Sequence, residues 1–165
     1  MTEGPFASVM KTLLRRFGLL AGALGCLLAL SGCEFDVPLS AEPDRDVDAR
    51  LLGEWVSPDG WMVVRRFDAG HYVVFHNGTL YRAWHSSVAG RDFITVQSLG
   101  KPEPKYYFFG YTVDAERGRL DLQVVLDQVL PRTITDTAAL RAALERVASD
   151  PRLLGKPVPF TALRR

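Results

Sequence analysis

Between positions 61 and 126 the chain is a succession of short apolar or alternating stretches, each closed by turn-forming residues. That rhythm constrains the fold to an antiparallel sheet. The stretches are 61–67, 71–76, 79–88, 93–99, 105–113 and 120–126. Between them stand Asp68-Ala69-Gly70, Asn77-Gly78, Ala89-Gly90, Gly100-Lys101-Pro102 and Glu116-Arg117-Gly118. Glycine, asparagine and aspartate supply the positive φ and the local hydrogen bonds that tight turns need, so each strand folds back beside its neighbour. Asn77-Gly78 is the strongest signal, because both central residues of the favoured hairpin turn take positive φ. A two-residue turn there sets His76 opposite Thr79 and His71 opposite Trp84.

The faces of these strands predict what covers them. In 120–126, Leu120, Leu122, Val124 and Leu126 share one face, so one side looks inward and the other to water. The 106–111 stretch departs from this, with Tyr107, Phe109 and Tyr111 on one face and Tyr106 and Phe108 on the other. Both faces therefore need a cover. Residues 137–148 supply one, since Leu140, Ala143, Leu144 and Val147 fall at helical spacing, with Asp136 as N-cap and Arg141 and Glu145 paired one turn apart on the wet side. Asp150-Pro151 predicts a second short turn, ending at Gly155, and 157–160 reads as an extended tail. The expected fold is mainly β: an antiparallel six- to seven-stranded meander or partial barrel over 48–165, covered by a C-terminal helix at about 136–149.

The first third of the chain has a different composition. Lys11, Arg15 and Arg16 precede a run of fourteen residues, 17–30, without a charge. That length is too short for a permanent membrane span and suits the apolar region of a signal peptide. The run closes on Leu30-Ser31-Gly32-Cys33, which resembles the lipobox of bacterial lipoproteins in all four positions. The resemblance implies a signal peptide over 1–32, cleavage before Cys33 and lipid on the Cys33 thiolate. The expected membrane contact is therefore this covalent lipid, in the bacterial envelope, with Glu34 after the cysteine favouring the outer membrane facing the periplasm. Residues 34–48 carry six acids and one arginine and read as an extended acidic tether (33–47 with the cysteine).

The chemistry excluded is broad. Cys26 lies in the apolar run, so from Cys33 onward no second cysteine is left for a disulfide or a cysteine metal site. That part holds 17 basic and 18 acidic residues, which gives no electrostatic footprint for nucleic acid. His76 and His85 share a face but stand six rungs apart along the hairpin, about 20 Å at 3.4 Å per residue, so the hairpin predicts no histidine metal site. No serine sits in a Gly-x-Ser-x-Gly elbow, and His85-Ser86-Ser87 places neighbours on alternate faces. No cofactor is expected, and the reading is non-enzymatic.

Leu51-Leu52-Gly53-Glu54-Trp55 resembles the Gly-x-Trp opening of lipocalins and of small lipocalin-like envelope proteins. That resemblance implies a barrel plugged at one end by Trp55. Two functions from different classes follow. One is an interaction or structural module held by its lipid near other envelope proteins. The other is a lipocalin-like carrier of a small apolar ligand, with Trp55, Tyr107, Phe109 and Tyr111 lining the pocket.

Overall fold

The computed structural model describes residues 33–163. The expected signal peptide over 1–32, with Leu30, Ser31 and Gly32 before Cys33, lies outside the described residues. Eight antiparallel strands follow in chain order: β1 (Gly53–Ser57), β2 (Gly60–Arg66), β3 (His71–His76), β4 (Thr79–Val88), β5 (Arg91–Ser98), β6 (Tyr106–Asp114), β7 (Arg119–Val124) and β8 (Val158–Ala162). Each pairs with the next, and β8 pairs with β1 to close a barrel. One helix, α1 (Thr137–Val147), lies between β7 and β8.

The barrel is closed and larger than the six or seven strands expected. The extra strands are the shortest ones, β1 and β8, at the two ends of the domain. Proline hid β8, because a residue without N–H interrupts a ladder. Pro159 is tolerated where it lies: it faces Asp121 of β7, while the β1 seam involves only Trp55 with Ala162 and Val56 with Thr161. The β3–β4 register is the expected one, with His71 opposite Trp84 and His76 opposite Thr79. Asn77 and Gly78 both take positive φ, 47° and 86°, as the tight turn requires.

Alternation along the strands divides the side chains between two cores. Trp55, Met62, Val64, Tyr72, Ala83, Leu120 and Phe160 form the inner one. Phe93 and Phe108 point the other way, into an outer core closed by Leu140, Ala143 and Leu144 of α1 and by Leu130 and Leu153. Both faces of β6 are thus covered, one by the barrel interior and one from outside. Asp136 caps α1, its carboxylate accepting the Ala139 N–H at 2.8 Å. Arg141 does not serve the wet side with Glu145. It turns inward and donates to the carbonyls of Leu39 (3.0 Å) and Ser87 (2.7 Å), because chain lies there to receive it.

That chain is the acidic segment 34–48, which does not stand free as a tether. It runs as a strap along the outside of the barrel. Phe35 and Leu39 are fully buried in the outer core. Phe35 pairs with Tyr106, the first residue of β6. Further on, the Trp84 indole donates to the Ser40 carbonyl at 3.1 Å, Asp44 N–H to the His85 carbonyl at 2.9 Å, and Val47 N–H to the Ala69 carbonyl at 2.8 Å. A Cβ on Gly70 would stand 2.6 Å from the Pro43 ring, so the strap passes where only glycine fits. The acids permit this because they alternate with the apolar residues: Phe35, Val37 and Leu39 pack into the outer core, while Glu34 and Asp36 lie on the other side of the segment and bind Lys101 and Lys105. Burying Phe35 and Leu39 contributes about 1.5–3 kcal/mol each.

The strap joins the two ends of the barrel. The end with the β1–β2, β3–β4 and β5–β6 turns holds Cys33. At the other end, with the β2–β3, β4–β5 and β6–β7 turns, a short helical turn (Ala49–Leu51) leads into β1. No helix among the described residues is long and apolar enough to cross a membrane.

Candidate functional site

The barrel interior is the natural place to look for a ligand, and it is almost full. It keeps a cavity of about 70 Å³, lined by apolar side chains including Leu51, Val74, Ile94, Val96, Phe109 and Leu122. Small-molecule sites span roughly 300–1,000 Å³, so this space is well below ligand size. Of the four residues expected to line a pocket, Phe109 and Tyr111 do so. Trp55 does not: it is 3% exposed and its indole N–H donates to the Leu51 carbonyl at 3.0 Å, fixing the helical turn over the barrel end. Tyr107 points inward nearer the Cys33 end, where its hydroxyl donates to Glu34. The expected quartet is therefore split among three places.

At the end away from Cys33 a polar network reaches into the barrel. His85 is fully buried, with Nε2 2.6 Å from the Tyr72 hydroxyl. Arg45 of the strap points a guanidinium nitrogen at Nδ1, 3.2 Å away. A guanidinium only donates, so Nδ1 accepts and the ring proton sits on Nε2, directed at Tyr72. The Tyr72 oxygen also accepts the Asp48 N–H at 2.6 Å. Arg45 further donates to the Tyr111 hydroxyl and pairs with Asp92 at 3.0 Å. Burial, then the facing Arg45, push the His85 imidazole down from 6.5 to about 4, so it is neutral at neutral pH. Burial likewise pushes the Tyr72 phenol up to about 12.

The network has the residue types of acid–base chemistry but not its geometry. Both nitrogens of His85 are engaged, and the neighbouring hydroxyl of Ser86 faces outward, 2.7 Å from Ser40 and 2.7 Å from Thr95. Its evident physical effect is to lock the strap to the barrel through Arg45. Beside it, where β6 runs past the start of β5, an open groove of about 460 Å³ includes Arg50, Arg91 and Asp92. Arg50 pairs with Asp48 at 2.6 Å and Arg91 donates to the Ala148 carbonyl, so each guanidinium already has a partner within the protein. Among the described residues no three histidine, cysteine or acidic side chains are grouped to hold a metal.

Cys33 lies at the opposite end. Burial and the charge of Asp127 push its thiol up, against a smaller effect of Arg132. Next to it, burial works to raise the Glu34 carboxyl, but hydrogen bonds from Lys101 and Tyr107 outweigh it and hold that group below its usual range.

No family model, curated protein or solved structure matches this chain.

Sequence reasoning missed Arg45, Tyr72 and His85 as a group. The inward parity of Tyr72 and His85 was readable from the hairpin register. Arg45 was not, because it belongs to a segment whose acidity pointed to solvent.

Proposed function

We propose that the chain is a bacterial cell-envelope lipoprotein, cut before Cys33 and anchored by lipid on that cysteine, probing no substrate but acting as a non-enzymatic interaction or structural module. The observation that carries the anchor is the sequence Leu30-Ser31-Gly32-Cys33 at the close of a fourteen-residue charge-free run. The filled interior supports a module over a carrier, since about 70 Å³ holds no more than a few waters. The outer membrane, facing the periplasm, is the proposed site, and other envelope proteins are the proposed partners.

The carrier reading keeps one observation in its favour: about eight strands suffice for a barrel to enclose one small ligand, and the cavity inside this closed eight-stranded barrel is apolar. Two measurements separate these readings. Cells fed labelled fatty acid should label the wild-type protein and not Cys33→Ser, which accumulates as uncleaved precursor; an unlabelled wild type overturns the anchor. The folded protein should not bind hydrophobic dyes or fatty acids with micromolar affinity. Saturable one-to-one binding, lost in Phe109→Ala while the variant stays folded, makes the carrier the better reading.

A further inference from the structure

The strap and the outer rim of the barrel together say how an anchored domain stands. We infer that the barrel end carrying Cys33 is a membrane-contact surface, whose apolar rim of Val56, Trp61, Phe75, Leu80 and Leu99 lies in the headgroup region of a zwitterionic phospholipid bilayer. This rests on the lipidation of Cys33 proposed above.

The first observation is reach. Cys33 stands only two positions before Phe35, which is fully buried and paired to Tyr106. At about 3.5 Å per residue the lipid-bearing atom stays within roughly 7 Å of the barrel, where a free fifteen-residue segment could extend to about 50 Å. The polar layer of a bilayer is itself about 5–8 Å deep on each side. An anchor at Cys33 therefore holds this end in the layer.

The second observation is what the end displays. Seven large hydrophobic side chains are exposed among the described residues, and five of them, Val56, Trp61, Leu80, Leu99 and Val158, sit at this end. Four form a continuous rim with Phe75. Val56 pairs with Trp61 across β1 and β2, the Trp61 and Phe75 rings are 5.2 Å apart, Phe75 pairs with Leu80, and the Leu99 N–H donates to the Leu80 carbonyl at 3.2 Å. Leu99 opens the same β5–β6 loop whose Lys101 holds Glu34 beside Cys33. A tryptophan with its ring half-exposed suits the bilayer interface, where one edge is apolar and the other wet.

The third observation sets the character of the contact. The charges around Cys33 are paired with one another: Glu34 with Lys101, Asp36 with Lys105, Asp127 with Arg132. Little field is left to draw in anionic lipid, so the contact is apolar and insensitive to salt.

Trp61 gives the test, because Trp55 and Trp84 are buried and leave it as the exposed tryptophan. The full lipidated protein is reconstituted in phosphatidylcholine vesicles with and without brominated acyl chains, and Cys33 is weighed by mass spectrometry in the same sample. Brominated lipid should quench the emission, equally at low and high salt. Trp61→Phe should abolish that quenching, and Leu80→Glu with Leu99→Glu should reduce it to the same level while fold and lipid are kept. Lipidated Cys33 with unquenched Trp61 overturns the membrane contact and leaves the anchor standing. An unlipidated Cys33 overturns both. Trp61 shielded instead by a concentration-dependent dimer makes a second copy the occupant and overturns the inference.

Discussion

The two hydrophobic cores lie on opposite faces of one sheet and are packed differently. In the outer core Phe35, Leu39, Phe108, Leu130, Leu140, Leu144 and Leu153 are all fully buried. In the inner core Met62 and Val64 keep 7% and 6% exposure, and a cavity remains beside Ile94, Val96 and Phe109. A barrel is usually thought of as organised around its inside. Here the driest packing is outside, because strap and helix adapt to the sheet, whereas a closed ring of eight strands fixes an interior that side chains must fill as they come.

The sharpest way to break this contrast is to truncate adjacent aromatics of β6 that face opposite ways. Phe108→Ala, on the outer side, should destabilise the domain by about 4 kcal/mol, seen as a lower denaturant midpoint. If it costs less than truncation of Phe109, the ranking of the cores is wrong.

The second test reads the polar lock between strap and interior. The unfolded chain takes up a proton on His85 near pH 6.5, the folded one only near 4. The unfolded state therefore binds more protons between those values, so stability is fully present above about pH 6.5 and falls, by up to about 3 kcal/mol, as pH drops toward 4. Chemical denaturation across that window measures it. His85→Gln keeps an acceptor and a donor without titrating, and should flatten most of the slope.

Third in size, Phe109→Ala should cost about 2 kcal/mol, since this side chain already borders empty space and is only half-buried. Smallest of all, Ala83→Val adds two methyl groups at the inner cavity and should shift stability by under about 1 kcal/mol, upward. The matched enlargement in the outer core, Ala143→Val, should instead lower it by about 1–3 kcal/mol through overpacking. Thermal melts of the pair compare the cores directly.

The sequence made the inner sheet easier to read than the outer core. Strands β2 to β7 announced themselves by turns and alternation, and α1 by its spacing and the Asp136 cap, because those signals are local. The strap offered a local signal too, Phe35, Val37 and Leu39 at period two, but six acids in fifteen residues outweighed it. What composition does not carry is that Lys101, Lys105 and Arg141 would be waiting to neutralise or bridge that segment. Closure was equally obscure, since β8 pairs with β1 across the whole length of the domain. Of the candidate site, the inward direction of Phe109 and Tyr111 was legible, and the Arg45–His85 lock was not.

The strap also fixes an order of events in folding. Its hydrogen-bond partners lie far along the chain, Ser86 at 46 positions from Ser40 and Arg141 at 102 from Leu39. A ribosome makes the strap before any of them, so Phe35 and Leu39 stay uncovered until α1 has been synthesised. Contacts of such long range require large loops to close first, which slows folding. The outer core thus cannot form before α1 has been made, and a chain stalled or cut before residue 141 leaves its own N-terminal segment adhesive.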